Sequence, residues 1–295
     1  MSSSRGYFHL HLPNPFTTFK NNNNNNKMFF QRLFSMANFT SSSSYSPKSS
    51  SSSIQTVYDT CKNNLTPSVA PSTKLIHDIT SKLDTIGPAD VGLKEEQLKD
   101  DRGHGFSMPN ILNRVDRWAQ PITYVGLNES ESFTMCMFCF PTSSVIPLHD
   151  HPKMTVLSKV LYGSLHVKAY DWVEPPCIKD SNDVARGPVR LAKLAVDKVL
   201  SAPCPTSVLY PETGGNIHCF TAVTSCAVLD ILTPPYEESA GRRCTYYRDY
   251  PYSSFRSEGD PIDGKEDEYV WLEEIQTPDD LYMRQGMYAG PPIQI

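Results

Sequence analysis

From residue 122 to residue 232 the chain is a succession of short β-branched and aromatic runs separated by Gly, Pro and Ser. Short runs at this spacing are typical of antiparallel barrels and jelly rolls. The predicted strands are residues 122–128, 132–140, 144–148, 154–161, 164–172, 189–199, 207–210, 217–224 and 226–232, with further strand-like runs at 243–247 and 269–275. We therefore predict an all-β fold for this part of the chain.

Composition divides the chain into four predicted parts. Residues 1–53 contain a run of asparagines and two blocks of serine, and such low-complexity sequence is typical of a disordered tail. Residues 54–118 form a predicted helical segment, because Leu75, Ile79 and Leu83 recur at helical spacing. We expect these helices to pack outside a barrel formed by residues 119–250, and residues 251–295 to wrap that barrel as an extension.

Charge and cysteine usage narrow the class of function. The formal charge is −5, although residues 1–58 carry five cations and no acid. The acidic remainder argues against nucleic acid as a direct ligand, because phosphate contacts need clustered Lys and Arg, and it favours the approach of a basic peptide. Eight cysteines are too few for a disulfide scaffold, which favours a reducing compartment. No apolar stretch reaches the ~18 residues that span a bilayer.

Two histidines stand two residues apart in the stretch PLHDHPKMTVLSKVLYG. Because alternate side chains on a strand point to the same face, His149 and His151 are predicted to project together. A His-x-His pair of this kind is half of a metal site. His218, in the segment PETGGNIHCF between apolar runs, is the candidate for the remaining ligand.

These residues resemble two sequence motifs of one superfamily. His149, His151 and Gly163 match the first cupin motif, and the second motif is matched by Pro211, Gly214, Gly215 and His218. The usual first motif has a glutamate ligand five residues after its second histidine, where this chain has Val156. A set of three neutral histidines without a carboxylate resembles the thiol dioxygenases. Residues 143–172, GGNIHCFTA and DILTPPY are similar in particular to the plant cysteine oxidases, relatives of the animal cysteamine dioxygenases.

The resemblance implies a fold, a cofactor and a reaction. The fold would be a single cupin, a double-stranded β-helix or jelly-roll barrel with N-terminal helices packed outside it. The cofactor would be Fe(2+), held by His149, His151 and His218. With O2 the enzyme would convert the N-terminal cysteine of target proteins, which are transcription factors, to cysteine sulfinic acid. It would thereby act as an oxygen sensor for the N-degron pathway in hypoxia signalling.

The resemblance also places the protein in the cell. The family is cytosolic and nuclear, so cytoplasm and nucleus are the expected compartments, with no membrane or direct nucleic-acid partner. The serine-rich, cationic N-terminus leaves organelle import as an alternative. A monomer is expected.

Two residues are candidates for catalytic roles. Asp230 lies in the otherwise apolar run CAVLDIL, where a carboxylate needs a partner because its burial is costly. It could orient a ligand histidine or receive a substrate proton, or instead cap a loop or pair with an arginine. Tyr236, after two prolines, matches a family tyrosine that lines the pocket and whose hydroxyl could bond the substrate or oxygen. Packing alone is the other interpretation.

Three more residues near the motifs leave questions open. Related enzymes can form a thioether between cysteine and tyrosine, and Cys244 and Tyr246 have a compatible spacing, although alternation on a strand also explains their shared face. Lys153 would place a cation near the metal entrance unless it faces solvent. These observations stay hypotheses.

Other functions remain possible from the sequence alone. Three imidazoles also suit zinc, since ligand type does not select the metal. A zinc cupin, a non-catalytic cupin and a dioxygenase of small thiols such as cysteamine or cysteine are the alternatives.

Overall fold

A computed structural model describes residues 52–93, 121–180, 187–281 and 283–295. All of these residues belong to one compact unit, residues 44–295. The predicted tail lies almost wholly outside the described residues, as do residues 94–118 of the predicted helical segment. None of the helices in the described ranges is long and apolar enough to cross a membrane.

Within residues 52–93 the chain forms two α-helices, α1 (Ser53–Asn64) and α2 (Thr73–Leu83), and then a 3-10 helix (Pro88–Val91). Each α-helix is preceded by an N-cap serine, Ser52 or Ser72, whose hydroxyl accepts a hydrogen bond from a backbone N–H of the first turn. Such caps satisfy donors that have no partner within the helix. The apolar faces of both helices share a buried cluster with strand residues that include Leu157 and Leu229. The helices therefore pack on the outer face of a sheet.

The strands of the described residues form two sheets. Their bounds are β1 (Ile122–Glu129), β2 (Thr134–Phe140), β3 (Val145–Asp150), β4 (Thr155–Tyr162), β5 (Ser164–Trp172), β6 (Ile178–Lys179), β7 (Val189–Ser201), β8 (Ser207–Leu209), β9 (Ile217–Ala222), β10 (Cys226–Thr233), β11 (Tyr246–Pro251), β12 (Tyr269–Ile275) and β13 (Met283–Gln285). One sheet has the order β13-β1-β2-β10-β4-β8 and the other β12-β11-β3-β9-β5-β7-β6, and an additional pairing joins β12 to β7. The prediction of an all-β cupin barrel with helices outside it is confirmed.

Strand β10 shows how the layers are arranged. Every residue of β10 is buried, because its alternate side chains enter two different cores. Leu229 and Ile231 face the helices, whereas Cys226 and Val228 join Phe220 inside the barrel. A strand that is buried on both faces has a nearly continuous apolar sequence, as β10 has.

The turn between β4 and β5 requires glycine. Gly163 has φ +74°, and a Cβ at this position would lie 2.1 Å from the carbonyl oxygen of Ser225. Only glycine adopts this conformation at such a close approach without strain. The glycine of the first motif thus forms the tight turn by which the chain passes from β4 in one sheet to β5 in the other.

Most predicted strands are present, with ends that differ by a few residues. The run predicted at 243–247 is displaced, since β11 begins at Tyr246. Two short strands were not predicted, β6 inside a polar insertion and β13 near the C-terminus, which pairs in parallel with β1. The division of the chain into four domains stays a prediction.

Candidate metal centre

Strand pairing brings the three histidines together. His149 on β3 lies directly opposite His218 on β9 in the antiparallel register, and His151 follows the last residue of β3. All three side chains are buried, and one potential ligand atom from each lies within 4.8 Å of the others. The Nε2 atoms of His151 and His218 are 3.0 Å apart, which is roughly the separation of two neighbouring ligands that each lie ~2.1 Å from one ion.

Hydrogen bonds set the orientation of two of the rings. His149 donates from Nδ1 to the carbonyl oxygen of Pro147 at 2.8 Å. The hydroxyl of Tyr236 donates to the carbonyl of Asp150 at 2.7 Å, so its oxygen accepts from Nδ1 of His151 at 2.7 Å. In both rings the proton on Nδ1 leaves a lone pair on Nε2, as a metal ligand requires.

The three imidazoles are held neutral. Burial lowers the pKa of His149 to about 4. Burial, together with the neighbouring histidines, lowers the pKa of His151 and of His218 well below the usual value. Neutral imidazoles can bind a metal ion without first losing a proton. The donor set therefore fits a metal ion, and these three residues would hold it.

Val156 occupies the inner face of β4, where the first cupin motif usually has glutamate. Its side chain is 1% exposed, and it lines the same cavity as His218. The cluster of potential ligands in the described residues contains three histidines and no carboxylate. Neutral ligands would not compensate the charge of a divalent ion held there, so such an ion would favour an anionic ligand such as a thiolate.

Asp230 lies inside the barrel on β10, opposite Cys136 on β2 and Ser158 on β4. It accepts a hydrogen bond from Ser158, and burial raises its pKa to about 7. Its Oδ1 is buried and has no hydrogen-bond partner among the described residues. Within the described residues, no hydrogen bond joins Asp230 to a ligand histidine. The catalytic role of Asp230 therefore stays a prediction. Its Oδ1 could accept a hydrogen bond from a bound substrate.

Tyr236 has a position that its sequence context did not reveal. The hydroxyl was expected to face the substrate or oxygen, but in the structure it contacts Asp150 and His151 from behind the ligand ring. Its ring centroid lies 5.4 Å from that of His151. This arrangement orients a ligand, and a direct role in catalysis stays a prediction.

Cys244 lies between two tyrosines beside the histidines. Its side chain is hydrogen-bonded to Tyr236 and to Tyr246, and burial raises its pKa to about 12. The ring centroid of Tyr246 is 6.1 Å from that of His149. Cys244 and Tyr246 are thus neighbours, as the spacing predicted, and the thioether stays a hypothesis.

Lys153 lies at the turn after the ligands. It is exposed with φ +59°, and its Nζ would lie 3.3 Å from a Cβ built on Gly241. It does not line the cavity that reaches His218. This position agrees with the interpretation that its charge faces solvent.

Asn216 is a site residue that sequence reasoning missed. Its Oδ1 accepts from the backbone N–H of His151 at 3.0 Å, and its Nδ2 donates to the carbonyls of His151 at 2.9 Å and Tyr210 at 2.8 Å. The carboxylate of Asp171 accepts from the backbone N–H groups of Gly215 and Asn216. Asn216 therefore ties the second motif to the first. The only signal in the sequence is a polar residue two places before His218.

A cavity of about 320 Å³ extends from His218 along the inner faces of the two sheets. Its walls are mainly apolar, and they include Val160, Leu165, Val167 and Phe220. At the far end the cavity is bordered by β8, by residues 204–206 and by β7. Strand β8 is the edge of its sheet, and residues 196–200 of β7 pair only with β5, so we infer that a ligand reaches the metal centre through the gap between β8 and β7.

Comparison with known proteins identifies the family. The PCO_ADO family model matches residues 82–293. The chain is 44% identical over 246 residues to plant cysteine oxidase 2 of Arabidopsis thaliana, which covers 82% of this chain and 83% of that protein. The chain is 41% identical to plant cysteine oxidase 1 of Arabidopsis thaliana, and the match covers 84% of this chain and 83% of that protein. The chain is 34% identical to the 2-aminoethanethiol dioxygenase of Mus musculus, and the match covers 59% of this chain and 72% of that protein. The chain belongs to the PCO_ADO family and is a thiol dioxygenase with a metal cofactor, similar to the plant cysteine oxidases.

Proposed function

We propose that the protein is an iron enzyme that uses O2 to oxidise the N-terminal cysteine of target proteins to cysteine sulfinic acid. The observation that carries the proposal is the neutral set of three histidines, with Val156 in place of a carboxylate. Ferrous iron, when bound, would supply open positions for a thiolate and for dioxygen and would exchange electrons with them. Both oxygen atoms end on sulfur, so RSH and O2 give RSO2H without another reductant.

The residues around the metal centre would orient the ligands, bind the substrate and exclude water. His149 and His151 are held in their ligand tautomers by Pro147 and Tyr236. Asp230, with a free buried oxygen, would accept a hydrogen bond from the substrate ammonium inside the barrel. The apolar walls of the cavity would exclude water from the reacting sulfur.

The size of the cavity supports a substrate larger than a small thiol. At about 320 Å³ it has the volume of roughly ten water molecules, on the basis of ~30 Å³ each. Cysteamine has only four non-hydrogen atoms and would leave most of this space unfilled. The first residues of a polypeptide would fill it better.

The test is aerobic incubation of the iron-loaded protein with a short peptide that begins with cysteine, beside the same peptide with an acetylated N-terminus. Gain of two oxygen atoms on the free-amine peptide alone, read by mass spectrometry, is the expected result. The His218→Ala variant should retain no iron and give no product. Stoichiometric zinc in natively purified protein, or turnover of cysteamine but not of the peptide, would contradict the proposal.

We further propose that the enzyme acts as a monomer in the cytoplasm and nucleus, where its oxygen-dependent rate would report oxygen supply through the stability of transcription factors. All eight cysteines are free, which supports a reducing compartment. Imaging of the full chain and of residues 54–295, each fused to a fluorescent protein, tests the location. Import of the full chain into an organelle would contradict this proposal.

A further inference from the structure

Among the described residues, one charged side chain other than histidine lines the cavity beside His218. Apart from the histidine, its lining residues are apolar or uncharged except for Lys198 on β7. Lys198 is exposed, so its ammonium lies at the mouth of the cavity and not in its interior. Any long ligand that reaches the metal centre through this mouth must pass that charge.

Strand register gives the distance between Lys198 and the metal centre. Lys198 pairs with Val167, and His218 pairs with Ala169, two residues further along the same strand β5. Paired residues share a face, so Lys198 projects to the cavity side with Val167. Two strand spacings of ~4.8 Å and two residues of ~3.3 Å place its Cα about 12 Å from that of His218. Three or four extended residues cover this distance.

The charge of Lys198 is not neutralised within the described residues. The structure gives it no salt bridge there, and the acidic neighbour Asp197 is bonded instead to His166 at 2.7 Å. Near the mouth, Asp84 is bound to Lys159 at 3.2 Å and to the backbone N–H of Thr206 at 2.7 Å. Among the described residues, the ammonium of Lys198 is therefore a charge on the cavity lining that has no ion-pair partner, although the protein as a whole is acidic.

We propose that the cavity binds the extended N-terminal segment of a polypeptide and that Lys198 recognises a carboxylate on its third, fourth or fifth residue. This inference rests on the proposed function, because the cysteine must lie at the metal centre for the distance to apply. The apolar walls favour small or apolar side chains directly after the cysteine. The local charge at the mouth thus selects an acidic segment, contrary to the basic peptide expected from net charge alone.

The test compares peptides that begin Cys-Gly-Gly and carry Glu, Gln or Lys at one later position, moved from the third to the fifth residue in different series. We expect kcat/KM of the iron-loaded enzyme to be about 3- to 10-fold higher for Glu than for Lys at the best position, mainly through KM. The preference should weaken between about 0.05 and 0.5 M salt. Lys198→Glu should reverse the order of the Glu and Lys peptides.

Two comparisons keep the outcome unambiguous. The ratio between peptides in one enzyme preparation does not depend on how much of that preparation is active. Lys74→Gln, which removes a charge from an exposed position on α2, should leave the ratio unchanged. Equal rates for the Glu and Lys peptides, or the same preference in the Lys198→Glu variant, would overturn the inference. Failure to oxidise any peptide despite bound iron would instead refute the proposed function.

Discussion

Replacing Asp230 by Asn should stabilise the metal-free protein while it lowers activity. The carboxylate is 5% exposed, and its Oδ1 has no partner among the described residues. Burial raises its pKa to about 7, against ~3.9 in an unfolded chain. The folded state therefore binds the proton more tightly, and stability is lost as the pH rises from about 4 to about 7. The total loss is about 4 kcal/mol.

The expected change in the free energy of unfolding of the Asp230→Asn variant combines two effects: the variant avoids this loss, but it leaves one buried polar group without a partner. An asparagine can keep the bond from Ser158, but its amide leaves a buried group unpaired at a cost of about 1–3 kcal/mol. At pH 8 the variant should be more stable than the wild type by about 1–3 kcal/mol. Between pH 5 and pH 8 the difference should change by about 2.5 kcal/mol in favour of the variant.

The assay is denaturant unfolding of both metal-free proteins across this pH range, with turnover measured on the iron-loaded forms. Turnover should fall at least ~100-fold if the carboxylate accepts a substrate proton. Asp249→Asn, at an exposed position on β11, removes the same charge and should show no such change with pH. A stability difference for Asp230→Asn that is independent of pH would refute the reasoning.

The remaining predictions concern the fold and the metal. Asn216→Ala removes three hydrogen bonds to the backbone, two of which are buried. The free energy of unfolding should therefore fall by about 3 kcal/mol, visible as a melting temperature about 6–12 °C lower and as weaker iron retention in dialysis; an unchanged melting temperature would contradict this. Burial alone would raise the pKa of Asp260, but hydrogen bonds, above all the one from Lys179, lower it. The carboxylate of Asp260 therefore stabilises the folded state above pH ~3.9, and this stabilisation is lost as the pH falls further. Asp260→Asn should therefore lower the free energy of unfolding by about 1–2 kcal/mol at pH 7 and not at pH 2; a loss of equal size at both pH values would contradict the assignment. Iron at 100 times its dissociation constant should raise that free energy by about 2.7 kcal/mol in wild type and not in His218→Ala, as measured by anaerobic denaturant unfolding.

Local patterns in the sequence predicted the parts of the structure that depend on neighbours along the chain. The alternation of His149 and His151, and the apolar runs on either side of His218, predicted which residues meet in the metal centre. Val156 was informative for the same reason, because it lies at the start of β4, only five residues after His151. Strand period and turn residues are short-range signals.

Features that depend on contacts between distant segments were not predictable in this way. The hydroxyl of Tyr236 reaches His151 across 85 positions, and the amide of Asn216 reaches the same residue across 65. Strand β13 has three residues and exists because it pairs with β1. No local pattern encodes such partners, so the orientation of the ligand rings could be known only from the fold.

The residue between His149 and His151 shows how the register of β3 is specified. Asp150 points to the opposite face, where its carboxylate accepts from the backbone N–H of Thr245 and the hydroxyl of Tyr247, both at 2.9 Å. If β3 slipped by one position, every side chain would change face. A carboxylate would then enter the centre, and the imidazoles would leave it. These two hydrogen bonds on the far side of the strand therefore help to decide whether the centre presents histidine or aspartate to its metal.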